Sequence, residues 1–339
     1  MQAEGSPAYA LHMHASGNRQ PRSSLVLIAF AALAVSAWAM FAGPLAWGAE
    51  ADPGAVARLV AKHAEVAPKL ARNEFQRPLT LESQETPRSL RGDIYTQVDH
   101  PFTTVQRAFT QPQNWCDVMI LHQNTKYCRV NGAPANTILA VQIGRKYDEP
   151  IDTGKALQFS YHALADAPDY FRVALEAETG SFGTRNYHIV LEGIPLGTGK
   201  TFLHLAYSYE YGLAAKLALQ TYLNTIGSGK VGFTVVDKDA DGKPVYVGDV
   251  RGALERNVMR IYLAIDAYLD ALGSPPQQQA DKRMRDWYAA TERYALQLHE
   301  LDAGEYLAMK KREYQRMQAD ATTRAPADSN TPATTAPGR

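Results

Sequence analysis

The stretch "GIPLGTGKTFLHLAYSYEY", Gly193 to Tyr211, decides the fold. Its first half carries the glycines, lysine and threonine of a phosphate-binding loop. Such a loop needs glycine, four residues, then Gly-Lys-Ser/Thr, set between a buried strand and a helix. The place of the first glycine is taken by Ile194. The second half is wrong for a helix as well. Leu203, Leu205, Tyr207, Tyr209 and Tyr211 alternate with His204, Ala206, Ser208 and Glu210, the period of two that belongs to a strand. Pro195 to Gly199 therefore reads as a hairpin turn that uses glycine's freedom at positive φ. Nucleotide binding is set aside, and an antiparallel sheet is expected.

Working outward, alternating stretches separated by turn residues run over Asn124–Val130, Thr137–Tyr147, Lys155–Leu164, Tyr170–Thr179, Arg185–Ile194 and Lys200–Tyr211. Pairing them through "ADAPD", "GSFGT" and the turn at Pro195–Gly199 gives three expected rungs. These are Phe159–Leu175–Ile189–Leu205, Tyr161–Val173–Leu191–Leu203 and Leu157–Ala177–Tyr187–Tyr207. The opposite face holds Ser160, His162, Arg172, Glu176, His188, Glu192 and His204. One face is apolar and the other wet, as in an antiparallel sheet covered on one side.

Before these strands come a strand at Leu90–Val98, a helix opened by Pro101, and a short helix at Asn114–Leu121. After them come a helix at Leu213–Ile226, a hairpin at "DKDADGKP" and a long helix at Gly252–Leu272. In that last helix Leu254, Val258, Ile261, Ile265, Tyr268 and Leu272 form one apolar face, which is expected to cover the sheet.

The order strand, two small helices, antiparallel strands, long final helix resembles the START-like helix-grip superfamily, also called SRPBCC. The resemblance covers Leu90 to Leu272 and rests on element order. It implies an α+β fold: a curved antiparallel sheet wrapped around a long C-terminal helix, here with extra flanking helices. It also implies a cavity between sheet and helix for lipids, sterols or polyketide-like molecules. Leu157, Phe159, Tyr161, Val173, Leu175, Tyr187, Ile189, Leu191, Leu203, Leu205, Tyr207, Tyr209, Val258, Ile261 and Ile265 are the expected lining, with tyrosine hydroxyls to orient a head group.

Compartment is read from the N-terminus. Arg19 and Arg22 precede the uncharged run Leu25–Ala42, with small residues before Glu50. Residues 1–51 read as a secretory signal peptide cleaved after Gly48 or Ala51, or as an uncleaved membrane anchor. Either way the body is expected to be exported, periplasmic or secreted. There, Cys116 and Cys128 are expected to be bridged. Residues 52–89 read as a helix, Pro53–Phe75, bent or ended at Pro68, and a linker. Residues 273–320 read as a helical extension, Asp281–Leu301 and Gly304–Ala319, and 321–339 as a disordered tail. With 35 basic and 35 acidic residues in 339, no net field draws nucleic acid. No cofactor is implied.

Other constellations carry less. Glu176, His188 and His204 have the residue types of a zinc site, but a solvated face explains them. "DKDADGK" lacks the glutamate that closes a calcium loop and reads as a turn. The basic stretch Met309–Met317 reads as a solvated helix docked on the domain, with contact to anionic lipid head groups or a partner as the alternative. Three functions remain open. The first is an exported binding or carrier protein for an apolar, lipid-like ligand, with membrane contact through the N-terminal segment. The second is an enzyme of cyclase or dehydratase type on the same scaffold, using a tyrosine or Asp99 and His100. The third is a ligand-free interaction module built on the helices after Leu272, the domain folding without them.

Overall fold

A computed structural model describes residues 53–324 other than 151–152, 198 and 226–228. The expected signal or anchor and most of the tail lie outside the described residues. Among those described, no helix is long and apolar enough to cross a membrane.

Eight strands form one antiparallel sheet. They are β1 (Leu79–Glu85), β2 (Ser89–Val98), β3 (Thr125–Asn131), β4 (Ile138–Ile143), β5 (Lys155–Ala167), β6 (Tyr170–Thr179), β7 (Arg185–Leu196) and β8 (Lys200–Glu210). Their spatial order is β1-β2-β8-β7-β6-β5-β4-β3. Helices α2 (Phe102–Phe109) and α3 (Pro112–Met119) connect β2 to β3. The stretch from Gly193 is a hairpin: Leu196 pairs with Lys200, and Gly197 and Gly199 take φ of 59° and 86°. The helix a phosphate loop requires is absent; β8 continues to Glu210, and α4 (Leu213–Thr225) starts only afterwards.

The β6–β7 register is the expected one, with Leu175 opposite Ile189 and Val173 opposite Leu191. The two flanking pairs are each shifted by two residues. Leu191 faces Leu205 and Ile189 faces Tyr207, while Tyr161 faces Leu175. A shift of two preserves which face each side chain occupies and changes only its neighbours. The observed central rung is therefore Tyr161–Leu175–Ile189–Tyr207.

The long helix α5 (Asp249–Ala271) crosses the apolar face as expected. Gly92 of β2 lets it close in: a Cβ there would meet Val258 at 3.2 Å and Leu254 at 3.4 Å. "DKDADGKP" is the turn between β9 (Val235–Lys238) and β10 (Pro244–Tyr246), where Asp239 accepts from the N–H groups of Asp241 and Lys243. Cys116 and Cys128 are bonded, tying α3 to β3.

Three expectations are corrected. The stretch read as a linker contains β1, an edge strand paired along its length with β2. The first helix, α1 (Pro53–Ala71), runs through Pro68 and ends short of Phe75. It also covers the face expected to be wet. Ala55, Leu59, Val66 and Leu70 pack on Ala165, Tyr170, Ile194 and Phe202 of that outer face.

The C-terminal helices α6 (Pro276–Glu292), α7 (Ala295–Leu298) and α8 (Ala303–Arg324) are part of the core. Trp287 of α6 donates to the Arg260 carbonyl of α5 and stacks on Tyr306 of α8, whose hydroxyl donates to the Leu121 carbonyl. Lys126 of β3 and Lys310 of α8, both fully buried, share Glu313 at 3.1 and 2.7 Å. The basic stretch Met309–Met317 is thus docked on the domain, through its charges as well as its methionines.

Candidate functional site

The fifteen residues expected to line a cavity do reach one apolar cluster between the sheet and α5. They are not equally packed. Val173, Leu175, Leu191, Leu203, Leu205, Val258 and Ile265 are at most 1% exposed and form solid core. The looser members lie toward one end of the sheet, where β5 and β7 begin and β6 and β8 end. Leu157, Phe159, Ile189, Tyr207 and Tyr209 retain 4–8% exposure, and Tyr187 is half-buried. Tyr161, 9% exposed and on the same rung as Ile189 and Tyr207, has its hydroxyl donating to the Phe109 carbonyl at 3.2 Å. Ile261, on α5, is half-buried.

At the looser end the aromatic rings touch one another. Tyr187 stacks on Tyr209 with centroids 5.1 Å apart, and Tyr207 lies 6.1 Å from Tyr187 and 5.8 Å from Tyr209. The three side chains meet because they occupy successive inward positions on paired strands. The Tyr187 hydroxyl bonds Thr184 Oγ1 at 2.6 Å. The hydroxyls of Tyr207 and Tyr209 have no partner among the described residues. Burial raises the pKa of both phenols, with the neighbouring tyrosines adding to it. A neutral phenol hydroxyl can donate one hydrogen bond to a ligand and accept another.

The cover over this end is thin. Leu219 and Leu223 of α4 pack against the cluster, while Leu213 and Leu217 point to solvent at 77% and 56% exposure. The turn Ser181–Gly183 lies beside α4, Gly183 facing the Ala215 methyl, and Phe182 in the turn is exposed with a φ of 57°.

The alternative catalytic pair sits elsewhere. Asp99 is a surface residue ion-paired with Lys200 at 2.8 Å, and His100 bonds Asp270 at 3.0 Å. That bond, with burial opposing it, raises the His100 pKa. Neither side chain faces the apolar interior. A groove of about 230 Å³ opens nearby between α5 and α6, lined by Arg77, Asp266, Asp270, Lys282, Asp286 and Arg293. Arg77 and Lys282 are ion-paired within it, to Asp266 and Asp286.

On the outer face His188 pairs, among the described residues, with Glu176 at 3.3 Å. His204 stands apart, clamped between Asp93 at 2.7 Å and Glu192 at 2.8 Å and stacked on Tyr95. With both ring nitrogens engaged it has no lone pair for a metal. Among the described residues no group of three or more His, Cys, Asp or Glu could hold one. This clamp is not legible in the sequence, because Asp93 and Glu192 lie far apart in the chain, on strands that both neighbour β8. Their shared outward parity was the available signal.

The order of strands, the register and the helix laid across the apolar face make this an α+β protein of helix-grip architecture. No protein-family profile matches the chain, and no curated protein sequence does. Solved structures that align with it include truncated norcoclaurine synthase from Thalictrum flavum, at 9% identity and a TM-score of 0.29 over 42% of this chain and 91% of that one. CalU16 from Micromonospora echinospora aligns at 14% identity and a TM-score of 0.29, over 62% and 96%. The Zhui aromatase/cyclase from Streptomyces sp. R1128 aligns at 8% identity and a TM-score of 0.28, over 61% and 96%. Likeness at this level carries nothing about ligand or chemistry.

Proposed function

We propose that this chain binds an apolar, lipid-like small molecule bearing a polar oxygen, held between the sheet and α5 at the tyrosine end beneath α4. The observation that carries the reading is the pair of phenol hydroxyls, Tyr207 and Tyr209, set in apolar surroundings without a partner among the described residues. A hydrogen bond from either hydroxyl to a ligand oxygen would contribute about 0.5–1.5 kcal/mol net. Each methylene of the ligand placed against Leu157, Phe159 and Ile189 adds about 0.8 kcal/mol. Entry requires α4 and the neighbouring turn to move aside. The proposal includes export: the buried Cys116–Cys128 bond is consistent with an oxidising compartment.

The test is displacement of the neutral apolar fluorophore 1-N-phenylnaphthylamine by dodecanol. Wild type is expected to take up the fluorophore saturably at one site. In the Tyr207→Phe/Tyr209→Phe double variant the affinity for dodecanol should fall about tenfold, the worth of one to two hydrogen bonds. Its melting temperature should hold, since no bond within the protein is lost. Failure to take up the fluorophore, or an unchanged affinity for dodecanol, would overturn the proposal.

A further inference from the structure

On the side of α5 away from the tyrosines, three cations gather round one carboxylate, with a fourth beside them. Arg256 and Arg260 lie one turn apart on α5, both buried, where like charges at that spacing repel. Arg260 Nη2 donates to Glu300 Oε1 at 3.1 Å and to the Leu298 carbonyl at 3.3 Å, while its Nε is buried with no acceptor. Lys146 takes the other Glu300 oxygen at 2.8 Å. Lys230 reaches the His299 carbonyl next door, and Arg256 reaches the carbonyl of Val231, beside Lys230.

The carbonyl at Lys230 satisfies a hydrogen bond without supplying charge. Glu292, also close by, is engaged by His299 Nδ1 at 3.0 Å. Beyond the group, Glu313 is already shared by Lys126 and Lys310. His122 between the two clusters is held neutral by its own burial and by Arg260, Lys310 and Lys126 around it. Arg260, Lys146 and Lys230 thus have the single charge of Glu300 between them among the described residues. For Arg260, which is buried, under-compensated charge is costly, while Lys146 and Lys230 are partly screened by solvent. The chain as a whole is electroneutral, so this local excess is a feature of placement. The two arginines form a buried floor, and Lys146 and Lys230, both part-exposed, form a rim open to solvent.

We propose that Lys146, Lys230 and Arg260, with Arg256 beside them, form a binding site for a small oxyanion of the phosphate class, free or as the head group of a lipid. Phosphate suits the arrangement because it brings up to two charges and several acceptor oxygens, where chloride brings one charge and poor acceptor geometry.

The test uses inorganic phosphate and the full chain at constant ionic strength set with chloride. Phosphate is expected to raise the melting temperature saturably, and titration calorimetry should give a defined affinity. That affinity should fall at least tenfold in Lys146→Gln/Lys230→Gln, two part-exposed positions, and hold in Lys311→Gln on the far face of α8. An equal rise with chloride, or undiminished phosphate affinity in the double variant, overturns the proposal. Co-sedimentation with phosphatidylglycerol vesicles that inorganic phosphate competes away supports the head group as the source. Phosphate binding without co-sedimentation supports the free anion.

Discussion

His204 is the most constrained titrating side chain of the outer face. Burial alone would lower its pKa, but hydrogen bonds to Asp93 and Glu192 outweigh burial and raise it. Burial likewise pushes both carboxyls up, and His204 outweighs it, helped by Arg91 at Asp93 and by the Tyr170 hydroxyl at Glu192. Both carboxyls are held below their usual range. The His204 contribution is fully present below its ordinary value of about 6.5 and is lost as pH rises through the raised folded value. The carboxylate contribution is present above the usual carboxylate range and is lost as pH falls through the lowered folded values. Stability from this clamp is therefore greatest between those limits. Replacing His204 by Gln strands at least one partly buried carboxylate and is expected to cost about 3 kcal/mol. It should also flatten the loss of melting temperature on the alkaline side. A variant whose melting curve against pH keeps the wild-type shape would place that loss in some other group.

Among the elements, those with a clean period were legible in the sequence. β6 was bounded to the residue, and α5 was found from its apolar face because both are long and strongly patterned. β1 was not, for a physical reason. An edge strand needs one apolar flank, and "LTLESQE" offers only Leu79 and Leu81 before turning polar. The cover over the outer face was also missed, although Tyr170, Ile194 and Phe202 break the polar pattern there and line up under α1. The extent of α8's involvement was hidden because a buried Lys–Glu–Lys trio is spelled with the same letters as a solvated helix. That trio argues against one expectation of the sequence, that the domain folds without the helices after Leu272. A chain ending at Leu272 would uncover the Lys126 ammonium, now held by Met309 and Glu313, and would lose Trp287 and Tyr306 from the core. It is expected to lack a cooperative thermal transition by circular dichroism. A truncated protein melting as sharply as the full chain would restore the view of these helices as an appendage. The smaller change Glu313→Ala, which takes the shared carboxylate from two buried ammonium groups, should cost about 3–5 kcal/mol.

For the molecule as a whole, the fold class was readable because the alternation in β5 to β8 is long enough to fix which face is inward. The site was readable only in part. Alternation says that Val173 and Tyr207 share a face, yet it cannot say that one is sealed and the other lies at a loose end. That difference comes from where α4 and α5 happen to lie. The anion site was not legible at all, since Lys146, Lys230, Arg256, Arg260 and Glu300 come from four separate segments that only the C-terminal helices bring together.

The strand order has a consequence in time. β2 is the neighbour of β8, and the pairing joins Ser89–Val98 to Thr201–Glu210. The first hairpin to leave the ribosome, β1–β2, thus waits for more than a hundred residues before its partner exists, and contacts so distant in sequence slow folding. Until then its inner flank, Leu90, Ile94 and Val98, has no sheet to join. A fragment ending at Gly199 should stay unfolded, although it holds seven of the eight strands, and adding a peptide spanning residues 200–211 should recover sheet signal by circular dichroism. Everything on the N-terminal side of Gly193 is, in this sense, a folding problem that the last strand of the sheet solves.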